Sequence, residues 1–265
     1  MSATDHAPAG LLLLCRAAPD RLRLAARLLG TPLLLAPAGE GWSVLVPAAG
    51  AADAAEGVEE GGSPAARAAR WATALTATGG RPVVGLWWDA DGAGFVVAAG
   101  LRRTAGHTWL ADGTPLGEAD ALRVLRVRLG LDPVLDAEAL QALGRADSEA
   151  DARARLRGLI AVLGRAGLRL GPGLAPGKGR EELYAAASAL PLAEAVRGPG
   201  PRALGPQLAR RVRVRVRVLG AAEVGAGLVL LTWAGTRRRG WAAVGAALVV
   251  DGALVLAYER WRREG

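Results

Sequence analysis

The alternation of apolar and polar positions divides the chain into three textures. Residues 10–17 are an apolar run holding Leu11–Leu14, the mark of a short, fully buried strand. Pro19 and Asp20 then open a segment with leucines 22, 24, 28 and 29 among arginines, which predicts a helix closed by Gly30. Residues 32–36 and 42–47 predict two strands around Gly39-Glu40-Gly41, and the Gly- and Glu-rich stretch 50–63 predicts an exposed loop. The order then recurs. Ser63-Pro64 starts a helix to about Thr78, and strands follow at 82–88 and 93–99 around Asp89-Ala90-Asp91-Gly92. A shift of fifty residues aligns Gly30-Thr31-Pro32 with Gly80-Arg81-Pro82, so a duplicated helix–strand–strand unit is one reading. A further strand is expected near 106–111, ending at Ala111-Asp112-Gly113.

From Gly117 the texture turns helical. Residues 118–129 carry Ala121, Leu122, Leu125 and Leu129 on one face, and 136–143 form a shorter helix. Asp147 or Ser148 is expected to cap a longer helix to Ala166 with Leu156, Leu159, Ile160 and Leu163 inward and arginines 153, 155 and 157 on a solvated surface. Residues 171–179 are a Pro/Gly connector, 181–196 another helix, and 198–206 a second linker. The order predicts an α+β fold: a largely antiparallel sheet with helices on one face, then a helical region. The expected domains are 1–115, 116–197, a linker and basic segment at 198–217, and 218–265.

The third texture is the C-terminal end. Residues 218–236 and 240–258 are each nineteen long, enough to span a hydrocarbon core, and each holds one acid, Glu223 and Asp251. Seven Leu and Val residues per segment favour insertion by roughly 2–4 kcal/mol, while a central carboxylate costs about 3 kcal/mol. Hydropathy alone is therefore near balance. Trp233 and Trp241 bracket Arg237, Arg238 and Arg239, and Tyr258 and Trp261 close the far end, where interfacial aromatics belong. Eight arginines on the outer flanks against three in the turn place both ends in the cytoplasm. A transmembrane helical hairpin is the leading expectation. Soluble β-hairpins are the alternative, because residues 211–218 alternate Arg-Val and Asp251-Gly252 suits a tight turn. In a hairpin Glu223 and Asp251 lie within about 5 Å of the same depth, so one would be neutral or paired.

Charge changes the picture only after it is located. The net charge of +8 suggests nucleic acid, yet residues from 210 onward hold eleven arginines against four acids. The preceding body has 22 basic and 21 acidic residues, so it is close to neutral. A hydrophobic fraction of 51% and a mean hydropathy of +0.23 agree with a chain that buries much surface. Cys15 is alone, which excludes an internal disulfide, and its apolar neighbours predict a buried structural thiol. Residues 1–10 lack Lys and Arg, so the leucines before Cys15 do not read as a secretion signal.

Catalytic chemistry is sparse. Only His6 and His107 are present, too few with one cysteine for a zinc site. The stretch from Gly171 to Gly179 fails the phosphate-loop pattern, with Pro172 where glycine is due and Gly179 in place of Ser or Thr. Asp89, Asp91 and Asp112 are weak catalytic or cation-binding candidates that turn formation also explains. One of Trp87 and Trp88 should be core and the other partly exposed, on opposite strand faces. No cofactor is expected. The leading expectation is a membrane-tethered cytosolic interaction or regulatory module on the inner face of the cytoplasmic membrane, binding lipid through its hairpin and an unknown protein partner, with homo-oligomerisation open. A carboxylate-dependent hydrolase or transferase and a soluble nucleic-acid-binding protein using Arg211–Arg217 are the alternatives.

Overall fold

A computed structural model describes residues 8–48, 63–100, 103–117, 120–147 and 149–198. The chain divides into two compact units, 1–203 and 204–265, and every described residue belongs to the first. The expected membrane hairpin, the Arg211–Arg217 segment and most of the 50–63 loop lie outside the described residues.

The described residues of the first unit form eight strands: β1 (Gly10–Cys15), β2 (Leu33–Pro37), β3 (Ser43–Pro47), β4 (Val83–Trp88), β5 (Gly92–Ala98), β6 (Ala105–Leu110), β7 (Pro115–Gly117) and β8 (Glu194–Val196). They form one antiparallel sheet in the order β7-β6-β5-β4-β1-β3-β2-β8. Six helices among the described residues accompany it: α1 (Pro19–Leu28), α2 (Pro64–Gly79), α3 (Ala121–Leu129), α4 (Leu135–Leu143), α5 (Ala152–Arg165) and α6 (Arg180–Ser188). The α+β class is as expected.

β1 organises the sheet because it is apolar on both sides. Leu11, Leu13 and Cys15 enter one core with α1 and α2, while Leu12 and Leu14 enter the other with α3–α6. Each leucine so buried stabilises the fold by about 1.5–3 kcal/mol of transfer free energy. Helices on one face, the sequence expectation, describes α1 and α2 only. The 116–197 region covers the opposite face and shares its core with Val84, Leu86, Phe95 and Val97 of the sheet. Helix–hairpin order does recur, as α1-β2-β3 and α2-β4-β5, but β1 pairs with the second strand of the first hairpin and the first strand of the second.

Three tryptophans fasten the α3–α6 layer to the sheet. Nε1 of Trp42 donates to the Ala166 carbonyl at 3.0 Å, Trp88 to Lys178 at 3.0 Å, and Trp109 to Leu143 at 2.8 Å. Ala166 and Leu143 lie at the C-terminal ends of α5 and α4, where carbonyls lack helical partners. Each indole therefore fills the core and satisfies a carbonyl at once. At Trp42 the joint is wider: Glu40 N–H donates to Gly167 and Arg169 N–H to Ala38.

Several local expectations need correction. Asp151, not Asp147 or Ser148, caps α5 by accepting from Ala154 N–H at 2.6 Å. Arg155 is buried rather than solvated, donating to the carbonyls of Leu143, Asp147 and Ala150. Trp87 and Trp88 do face opposite sides, but both are buried because both faces carry helices. The helix expected over 181–196 stops at Ser188, and Glu194–Val196 instead adds edge strand β8 beside β2.

Candidate functional site

Asp89, Asp91 and Asp112 lie in the β4–β5 and β6–β7 turns, and Asp91 O accepts from Ala111 N–H, which joins the two. The carboxylates of Asp89 and Asp112 are turn formers, and Asp91 takes part through its main chain. Asp89 Oδ1 accepts from the N–H groups of Asp91 and Gly92 at 2.9 and 3.0 Å, and Asp112 Oδ1 accepts from Thr114 N–H at 2.8 Å. The Thr114 N–H holds the Asp112 carboxyl below its ordinary range, as hydrogen bonding to the charged form does. Among the described residues no group of three or more His, Cys, Asp and Glu side chains could hold a metal. The turn role accounts for these acids without an ion.

The Gly171–Gly179 segment is likewise structural. Lys178 pairs with Glu182 at 3.2 Å while its carbonyl takes the Trp88 indole. Glu182 also accepts from Gly179 N–H at 3.0 Å, which, followed by the Lys178 charge, lowers its carboxyl below the ordinary value. Cys15 is fully buried, and desolvation pushes its thiol up to about 12, opposite to what a nucleophile needs.

One concavity among the described residues lies outside the sequence candidates. A cleft of about 360 Å³ opens between α3, α4 and β6, bordered by His107, Leu122, Arg123, Arg126, Leu140 and Arg145, with Ala137, Gln141 and Gly144 completing it. The apolar stripes of α3 and α4 place Leu122 and Leu140 in its floor, because both helices turn those residues toward the core. His107 closes the β6 side. Its ring stacks on Phe95 at 6.2 Å and meets Trp109 edge-on at 5.1 Å, which fixes its plane.

The rim is cationic. Arg123 pairs bidentately with Asp120 at 2.9 and 3.2 Å, so that charge is largely offset. Arg126 spends one N–H on the Pro133 carbonyl at 3.1 Å. Among the described residues the Arg145 side chain has no hydrogen-bond or ion-pair partner, and none of those that line the cleft is an acid. The sequence held a signal for this site in the Arg123, Arg126 and Arg145 spacing around two helix ends, but only the fold brings β6 beneath them.

Among the described residues no helix is long and apolar enough to cross a membrane. Glu223, Asp251, Trp233, Trp241, Tyr258, Trp261 and Arg237–Arg239 lie outside the described residues. No family model, curated protein or solved structure matches the chain.

Proposed function

We propose that the chain is a non-enzymatic, membrane-tethered module that acts through contacts made by its first unit. The observation that carries this reading is the division of the chain at 203/204. Among the described residues the sheet's two cores are built by residues between Leu11 and Val196, and the apolar segments 218–236 and 240–258 belong to the other unit. Two nineteen-residue apolar stretches with Trp and Arg flanks are then available to lipid. Positive flanks favour the inner face of the cytoplasmic membrane, with both ends cytoplasmic. The use of Asp89 and Asp112 in turns supports a binding role over carboxylate catalysis. A protein partner, or a second copy of the chain, is the natural target of a tethered module. Fractionation of cells expressing the full chain tests the tether: it should stay with membranes through an alkaline carbonate wash and leave only with detergent. Recovery in the wash would refute it.

A further inference from the structure

We infer that the α3–α4–β6 cleft binds a small phosphate monoester whose organic part is apolar, a role independent of the tether. Size sets the first limit. A volume of about 360 Å³ lies at the small end of ligand pockets, room for one compact molecule rather than a polymer. Chemistry sets the second. Three arginines border the cleft, and the Asp120 pair offsets one of them, which leaves the positive charges of Arg126 and Arg145. A phosphate monoester carries close to two negative charges at neutral pH, with a second pKa of about 6. Planar guanidinium forks suit its oxygens bidentately, and the Arg145 donors are not taken up by any described residue.

The floor decides what hangs from the phosphate. Leu122, Ala137 and Leu140 line this floor, so a sugar or bare phosphate would leave its apolar part unmatched. An aromatic or short aliphatic body would cover it. Gln141 supplies a polar edge to that floor.

Phenyl phosphate is the probe, titrated calorimetrically into the full-length chain in an uncharged detergent at low salt. The expected result is saturable one-to-one binding, at least about tenfold tighter than inorganic phosphate or benzoate. Each of Arg126→Gln and Arg145→Gln should weaken it about tenfold or more, since each removes a charge-assisted bond. Ala137→Leu, which narrows the cleft at its floor and leaves the arginines unchanged, should weaken it about tenfold or more. Binding should also strengthen as pH rises from 5 to 7.5, because only then does the ester become dianionic. Unchanged circular dichroism and urea midpoints establish that the variants fold. Absence of saturable binding at low-millimolar phenyl phosphate, or binding indifferent to all three substitutions, would overturn the assignment. So would a polyglutamate peptide that outcompetes phenyl phosphate and loses binding in the same variants, which would make the cleft a protein-docking site. Phosphatidylcholine vesicles with and without phosphatidic acid separate the two sources of the ester. Phosphatidic acid-dependent binding that falls in Arg145→Gln identifies a lipid headgroup, and binding unchanged by it identifies a soluble ester.

Discussion

Trp42→Phe isolates what holds the helical layer to the sheet. Trp42 is 1% exposed, sits beside the β2–β3 turn, and donates to the Ala166 carbonyl at the end of α5. Phenylalanine keeps most of the apolar contact but removes the N–H and one ring's worth of volume. The lost hydrogen bond costs about 1 kcal/mol net, and more if the Ala166 carbonyl stays dry. The void, larger than a methyl group, adds roughly 1–2 kcal/mol. A total of about 2–3 kcal/mol is expected. Urea unfolding of the full chain followed by far-ultraviolet circular dichroism reads it as a fall in midpoint with little change in slope. Trp71→Phe is the comparison: Trp71 lies in the opposite core at 9% exposure, so its loss should cost less. A Trp42→Phe loss below about 0.5 kcal/mol, or no larger than that of Trp71→Phe, would refute the idea that the indole–carbonyl bond joins the layers.

Other expectations follow from single contacts. Asp136 is buried, pairs with Arg165 at 2.7 Å and accepts from Asp132 N–H at 2.9 Å, so Asp136→Ala should cost about 2–3 kcal/mol of stability by thermal or urea unfolding. Gly113 has φ of +82°, and an added Cβ would meet the Ala150 carbonyl, so Gly113→Ala should cost about 2–4 kcal/mol in the same assay. The Cys15 thiol, raised by burial from 9.0 to about 12, should resist iodoacetamide at pH 8 until the protein unfolds. Its linkage runs in a definite sense: the unfolded thiol ionises first, so stability should fall by up to about 1.4 kcal/mol per unit as pH rises from 9 toward 12. The depressed Asp112 carboxyl acts the other way. Its contribution is present above the unfolded value near 3.8 and is lost as pH falls through the lower folded value, so its NMR titration midpoint should lie below 3.8.

Much of the first unit is legible from pattern alone. The strands at 33–37, 43–47, 83–88 and 92–98 fall within a residue or two of expectation, since turn residues and apolar runs bound them sharply. The number of helical layers was also written in the sequence. Leu11–Leu14 is apolar at odd and even positions alike, which a strand needs only when both of its faces are covered. Arg155 was similarly readable: it lies three after Ala152 and four before Leu159, on the stripe that α5 buries. Its charge hides that phase. β8 was not legible, because Glu194–Val196 has no pattern of its own and is a strand only because β2 offers it an edge. The cleft escaped for a related reason, since His107 and Arg145 are brought together by the packing of β6 under α3 and α4.

The short edge strand β8 has a mechanical meaning. Any tension applied to the chain beyond residue 198 enters the first unit through Glu194–Val196. These residues run antiparallel to β2, with Val196 opposite Leu33 and Glu194 opposite Leu35. A pull from the C-terminal end loads this ladder in peeling geometry, so its hydrogen bonds break one after another rather than together. The Arg23 guanidinium, bonded to both Glu194 oxygens at 3.0 and 2.8 Å, is the last clasp in that zip. Beyond it the load passes along the chain to α6, which Leu183 and Ala187 anchor in the core. The unit thus carries a sacrificial edge, able to yield a few residues of slack before its cores are strained.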